Sequence, residues 1–287
     1  MSLVCFMFPG QPLACDAALP DDIDFADIAG LVKCRTGLDL KSFGRSSESN
    51  YSNQVMLQLL GSAMSLYRLR NMRKTGRQPD VVAEHSMGIY AALAACGSLP
   101  EAEVLELTWR IGNCLAGMGK NQRFAFGCVA GLTLGKLLGI ADNNRVYLAN
   151  HNTSRHFLLS GQLEAIESAI AEATSQKAFS TKIFPSIAPL HSPLITELED
   201  QLQLIFSDYS YQKPHCPLMD HLEQKYLAAD ELAGFMLSEL SRPVYWEKTF
   251  RALQFSGVES FLEIGMGDSL KKYNRWIEME PSPGNPT

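Results

Sequence analysis

No stretch of this 287-residue sequence approaches the about 18–20 uninterrupted apolar residues that a membrane span requires. Its first residues also lack the basic-then-apolar pattern of a secretory signal. A cytoplasmic protein with no membrane partner is therefore expected. Cysteine pairing is missing too: Cys5, Cys15, Cys34, Cys96, Cys114, Cys128 and Cys216 are odd in number, scattered, and never in a CxxC pair. That set supports neither a disulfide framework nor a zinc site and predicts reduced thiols, mostly in the core. Positive charge is scarce, with 25 basic against 31 acidic side chains and a net charge of −6, which argues against a nucleic-acid partner. What is abundant is apolar surface: 46% hydrophobic against 20% charged residues can bury a core and leaves little scope for disorder. No internal repeat is present.

Along the chain, Val4 to Phe8 is an apolar run stopped by Pro9-Gly10 and predicts a buried strand. Leu13 to Tyr51 shows no clear period. Val55 to Leu69 predicts a buried helix, running into a segment, Arg68 to Arg77, with five positive charges and no negative one. Asp80 to Ala83 predicts a strand and Met87 to Ala95 a helix. Another helix is expected from Pro100, with Ser98 as its cap and Glu101 three residues on. From Phe124 the elements shorten: strands near 124–132, 145–149, 157–160 and 182–184 and helices near 136–140 and 162–175 give the order βαββαβ of a ferredoxin-like unit. Helices at 194–205 and 230–240, a strand at 260–264 and a Gly265-Met-Gly267 turn follow, with a frayed tail at 281–286.

The segment Val81 to Ala95 carries the chemistry. A strand feeds a turn at Glu84-His85-Ser86 and a helix starts at once, the layout of a nucleophile elbow. A serine at such a bend is exposed, and the N–H groups of the helix start point at developing negative charge. A hydroxyl needs a proton acceptor, so a histidine must come from elsewhere. His191, in Ala188-Pro-Leu-His191-Ser192 between the short-element region and a helix, is the best placed. His85 adjoins Ser86, but neighbours on a turn diverge, and His151, His156, His215 and His221 have no comparable setting. Taken singly, a serine before a helix reads as a cap and a lone histidine as structural.

The motifs in combination carry further. Met7-Phe-Pro-Gly-Gln11, His85-Ser86-Met87-Gly88, Arg110, Asn150-His-Asn152 with Ser160-Gly161, His191-Ser192, Arg242-Pro-Val-Tyr-Trp246 and Leu262-Glu-Ile-Gly-Met-Gly267 occur in this order. Together they resemble the malonyl-CoA:acyl carrier protein transacylase family, including polyketide synthase acyltransferase domains, from about Val4 to Arg275. The resemblance implies an α/β protein with an α/β-hydrolase-like large subdomain, residues 1–123 and 190–287, and an inserted ferredoxin-like small subdomain, residues 124–189. It implies Ser86 as acyl-accepting nucleophile, His191 as general base and acid, and the backbone N–H groups of Gln11 and Met87 as oxyanion hole. A backbone carbonyl from around Ser241 to Trp246 would orient His191. Arg110 would hold the free carboxylate of malonyl through its planar fork. Malonyl-CoA is then the substrate and an acyl carrier protein the partner, with no metal and no bound cofactor. The basic run reads either as a solvated helix end or as a docking patch for an acidic carrier protein or coenzyme A phosphates, joined by Lys271, Lys272 and Arg275.

Three positions depart from the family pattern. Glu84 stands where glycine is usual in Gly-His-Ser-x-Gly, where a side chain crowds the bend and a carboxylate perturbs His191 or repels malonyl. Pro12-Leu13-Ala14 replaces a Gly-Ser-Gln run. The family's glutamine in the helix before Tyr67 falls near Met56-Leu57, leaving Gln54 and Gln58 as equal substitutes, and Leu190 before the histidine leaves fine specificity open. Two rival readings follow: an acyl hydrolase of the same fold, against which Arg110 argues, and a degenerate carrier-binding module, for which Glu84 and Pro12 argue.

Overall fold

A computed structural model describes residues 2–12, 18–42, 51–120 and 122–280; the expectations for Leu13, Ala14, Cys15 and the 281–286 tail lie outside them. In chain order the first half contains β1 (Leu3–Phe8), α1 (Ile23–Thr36), α2 (Tyr51–Lys74), β2 (Val81–Glu84), α3 (Gly88–Ala95) and α4 (Glu101–Ala116). Then come β3 (Phe124–Ala130), α5 (Leu134–Asn144), β4 (Tyr147–Thr153), β5 (His156–Gln162), α6 (Leu163–Ser175) and β6 (Ser180–Ser186). The chain continues through α7 (Glu199–Ser207), α8 (Leu232–Ser241), α9 (Trp246–Phe255), β7 (Val258–Glu263) and α10 (Ser269–Met279).

β1 is the middle strand of a parallel sheet ordered β2-β1-β7. Phe6 and Phe8 pack into one core cluster, and Cys5 and Met7 into another with Trp246 and Phe250. That is why the strand reads as a continuous apolar run rather than an alternating one. Its register sets Phe8 beside Glu84, so the ends of both strands deliver Pro9-Gly10 and His85-Ser86 to the same edge.

The second sheet, ordered β4-β5-β3-β6 with every pair antiparallel, lies within 124–186 and encloses its own core of Val129, Leu137, Phe157, Leu159, Ile166 and Ala169. Its elements follow the expected βαββαβ order. The segment between α8 and α9 joins this sheet at Val244: its N–H donates to Ala149 O (2.8 Å) and its carbonyl accepts from His151 N (2.8 Å).

Three details correct the sequence reading. α1 lies in the stretch without apparent period; Asp22 caps it by accepting from Phe25 N at 2.9 Å, Gly37 ends it at φ 73°, and Phe25, Ile28, Ala29 and Val32 face the core. Ser98 does not cap α4, whose first turn has no side-chain cap; its buried hydroxyl sits 3.3 Å from Cys96 Sγ instead. In the basic run, Arg70 bonds Asp27 and Glu101, Lys74 bonds Asp24, and Arg73 donates to the carbonyls of Ala94 and Ala95 at the end of α3. Three of its five cations are thus engaged in holding α1, α3 and α4 to α2.

Candidate active site

Strand β2 stops at Glu84 and α3 begins at Gly88, so the chain must turn within three residues, with Ser86 in the middle. Ser86 does so at φ 56°, in the left-handed region that costs a non-glycine residue about 1–3 kcal/mol. Two glycines make room for the turn. A Cβ on Gly88 would fall 2.2 Å from Phe8 O, and one on Gly61 of α2 would fall 2.7 Å from both Pro12 and the Met87 side chain. Gly61 is thus what lets α2 accept proline at position 12.

His191 also has a positive φ, 58°, after a loop leaving the small sheet. Its Nε2 lies 2.7 Å from Ser86 Oγ. Its Nδ1 donates to the carbonyl oxygen of Glu239 at 2.8 Å, and its backbone N–H donates to Leu240 O at 2.7 Å. The orienting carbonyl therefore comes from the last turns of α8, just upstream of the stretch from Ser241 to Trp246. The Nδ1–H tautomer that this bond selects leaves Nε2 as the proton acceptor facing Ser86. Burial is the main reason His191 is driven down to about 3, reinforced by His221 and His85 and opposed by the Glu239 carbonyl. The imidazole is thus neutral at physiological pH and ready to accept the serine proton.

Ser86 and His191 open onto a cavity of about 310 Å³ that Gln11, Met87, Ile111, Leu115 and residues of the small sheet also line. Gln11 is held there by amide contacts: its Nε2 donates to Gln54 Oε1 (2.5 Å) and its Oε1 accepts from Gln58 Nε2 (3.1 Å). Both glutamines that the sequence left open are used. No backbone partner among the described residues takes the N–H of Gln11 or of Met87, and both residues border the cavity beside Ser86.

Arg110 is not there. It pairs with Asp208 at 2.5 Å and stacks on Tyr209, its guanidinium carbon 5.5 Å from the ring centroid, in a surface groove with Trp109 and Cys114. The neighbouring Ile111 lines the cavity in its place. Successive helix residues point about 100° apart, so the face through Ile111 and Leu115 cannot include Arg110. Among the described residues no lysine or arginine lines the cavity.

Glu84 does not line it either. Its side chain is wholly buried, with Oε1 2.5 Å from His221 Nδ1, so it does not occupy the space in front of Ser86. His85 turns its ring toward the small sheet, where Nε2 meets Asn152 Oδ1 at 2.9 Å and Asn150 Nδ2 at 3.3 Å. Burial drives it down to about 4, so it bridges the two sheets as a neutral ring. Glu239 and His221 had no sequence signal. Glu239 stands only three residues before the Arg242-Pro motif, but nothing in a sequence pairs it with position 84.

The chain has known relatives. The chain is 25% identical over 286 residues to the malonyl CoA-acyl carrier protein transacylase of Escherichia coli (strain K12), covering 94% of this chain and 91% of that one. It is 26% identical to the polyketide biosynthesis protein PksE of Bacillus subtilis (strain 168) over 225 residues, 76% of this chain and 29% of that longer protein. The malonyl CoA-acyl carrier protein transacylase structure from Coxiella burnetii superposes with a TM-score of 0.89 at 23% identity, over 97% of this chain and 92% of that one. A malonyl-transacylase solved with a type II polyketide synthase acyl-carrier protein gives 0.86 at 22% identity, over 96% and 93%. The fold is thus the one these enzymes share, an α/β-hydrolase-like part carrying a ferredoxin-like insertion. With the acyl transferase domain model matching residues 17–269, the chain belongs to the acyl transferase domain family.

Proposed function

We propose that this protein transfers a malonyl group from coenzyme A to the phosphopantetheine thiol of an acyl carrier protein through an acyl-Ser86 intermediate. The observation that carries the reading is the 2.7 Å contact between Ser86 Oγ and a neutral, carbonyl-oriented His191 inside a cavity. Nε2 takes the serine proton as Oγ attacks the thioester carbonyl, then returns it to the departing thiolate of coenzyme A. The N–H groups of Gln11 and Met87 receive the oxyanion. The carrier thiol then repeats the sequence in reverse. Nucleophile, base and oxyanion donors are all side chains or backbone of this chain, so the step calls on no bound cofactor. The same reading divides the chain into a large subdomain, 1–123 and 190–287, and a small one, 124–189, with the cavity between them. No helix among the described residues is long and apolar enough to cross a membrane, in keeping with a cytoplasmic site of action.

A second reading has one observation in its favour. Because no lysine or arginine among the described residues lines the cavity, Arg110 no longer speaks against an acyl hydrolase, and an uncharged acyl group released to water is the competing outcome. Incubation with malonyl-CoA and with acetyl-CoA, followed by intact mass and peptide mapping, separates the two. Transfer predicts a stable malonyl adduct on Ser86 that disappears in Ser86→Ala and is discharged by holo carrier protein. An adduct retained in Ser86→Ala sinks both readings, and rapid loss of an acetyl adduct to water favours the hydrolase.

A further inference from the structure

Behind the Ser86–His191 pair lies a buried group of polar side chains that the acyl-transfer mechanism above does not use. Glu239 contributes its carbonyl to His191, but its carboxyl group is also turned inward: Oε2 lies 3.9 Å from His191 Nδ1 and has no hydrogen-bond partner among the described residues. Glu239 is 1% exposed and Glu84 is 0% exposed. Glu84 Oε2 and His221 Nε2 are also without partners among the described residues, although Glu84 Oε1 and His221 Nδ1 meet at 2.5 Å. Buried polar atoms are normally satisfied. Three unsatisfied ones from one strand, one helix and one loop, gathered beside the base, call for a role.

We propose that Glu239 positions His191 with two atoms, its carbonyl oxygen fixing the ring and its carboxyl group supplying the negative charge that balances the imidazolium formed as Ser86 is acylated. The inference rests on the acyl-enzyme reading above. Proton movements balance without a further reactant. The serine proton goes to Nε2 and leaves with the thiol; Nδ1–H stays on the Glu239 carbonyl throughout. The carboxylate takes no proton from the ring and acts through its charge.

The groups around it set when that charge is present. Burial pushes Glu239 well above the usual carboxylate range and Glu84 pushes it further. Glu84 is itself raised by burial and by Asp220. The other groups in this electrostatic environment are His191 and His85 from the two site loops, His221 with Asp220 from the loop before α8, Arg242 just after α8, and Tyr90 on α3. His191, His85 and His221 are neutral through burial, so none of these three rings supplies a compensating charge. At low pH Glu239 is uncharged and the imidazolium is uncompensated; as pH rises through the raised carboxyl value, the counter-charge appears and the serine becomes more reactive.

The test uses the full-length protein and a fluorophosphonate probe, whose reaction with Ser86 needs the activated hydroxyl but no acyl substrate. Its second-order rate constant is measured against pH for wild type, Glu239→Gln and Glu84→Gln. Glu239→Gln keeps the carbonyl and the side-chain shape, so it should lose the high-pH rise and run about tenfold to a thousandfold slower on the plateau, the size of an opposite-charge effect on an ionising ring. Glu84→Gln, which removes the neighbouring carboxyl, should move the rise to lower pH. Profiles that superimpose for all three proteins overturn the role of Glu239, whichever variant folds less well. A wild-type protein that never labels Ser86 overturns the acyl-enzyme reading beneath it.

Discussion

Arg110 donates to Asp208 Oδ2 at 2.5 Å while the next residue, Ile111, lines the cavity beside Ser86. The guanidinium is therefore spent on the surface, with its side chain 28% exposed and that of Asp208 59% exposed. Exposed pairs of this kind contribute about 0–1 kcal/mol. Arg110→Ala should leave the ratio of malonyl to acetyl loading on Ser86 unchanged and lower stability by no more than that amount, as read by competition mass spectrometry and by denaturant unfolding. A loss of malonyl preference would put Arg110 back at the acyl group.

The buried ionisable groups predict how stability varies with pH. His85, His156, His191 and His221 are all held below the ordinary imidazole value by burial. The unfolded chain therefore binds more protons on them as pH falls below about 6.5, and their contribution is lost on the acid side. Glu84, Glu239 and Glu263 are held above the ordinary carboxylate value, chiefly by burial. Their neutral forms suit the fold, so their contribution is lost as pH rises from about 4.5 through the folded values. The rings therefore withdraw stability toward acid and the carboxyls withdraw it toward alkali. Melting temperature should fall on both sides of a maximum, with each unbalanced proton worth about 1.4 kcal/mol per pH unit. Glu84→Gln and Glu239→Gln should flatten the alkaline limb; an alkaline limb unchanged in both would mean that these carboxyls are not neutral in the fold.

The elbow and the βαββαβ insertion were legible because each is local: a strand, a tight turn and a helix follow in sequence, and their hydrophobic periods switch where the chain changes element. His191 could be chosen by its place between two regions, though its 2.7 Å approach to Ser86 is a tertiary fact. The assignment of Arg110 missed the cavity by one position, since a motif match does not fix which helix face meets it; the apolar spacing of Ile111 and Leu115 was the available signal. Glu84 was legible as unusual, but the path of its side chain was not. Its partner His221 is 137 residues away, and no sequence pattern joins them.

Gly88 offers a sharp test of the elbow. Its φ is not in the left-handed region, so the requirement for glycine is one of space: an added Cβ would sit 2.2 Å from Phe8 O and 2.9 Å from Pro9 O. Both are backbone atoms of the central strand and its turn, which cannot rotate away. Gly88→Ala should cost about 3 kcal/mol or more, the upper end for overpacking, and should slow labelling of Ser86 by displacing the turn. Gly30→Ala is the matched control, because nothing among the described residues lies within 4 Å of a Cβ there; that change in helix α1 should be neutral or stabilising. Equal unfolding midpoints for the two variants would show that the strand end yields more easily than its hydrogen bonds suggest.

Glu84→Gly separates bulk from charge at the elbow. Glycine removes a buried side chain, leaves His221 Nδ1 without its 2.5 Å partner, and places a flexible residue at the end of a strand. An unsatisfied buried group alone costs about 1–3 kcal/mol, so this variant should melt well below wild type. Glutamine keeps the volume and a polar atom for His221, so Glu84→Gln should melt closer to wild type. Catalysis should not follow stability. Because the Glu84 side chain lies outside the cavity in front of Ser86, its volume has no bearing on acylation, while both variants equally remove the carboxyl that opposes ionisation of Glu239. Per folded molecule, Glu84→Gly and Glu84→Gln should therefore load Ser86 at rates within about twofold of each other, the margin expected for a site without direct contact. A glycine variant that loads clearly faster than the glutamine variant would mean that the glutamate does crowd the turn, and that the path of its side chain toward His221 is not the one it takes when substrate enters.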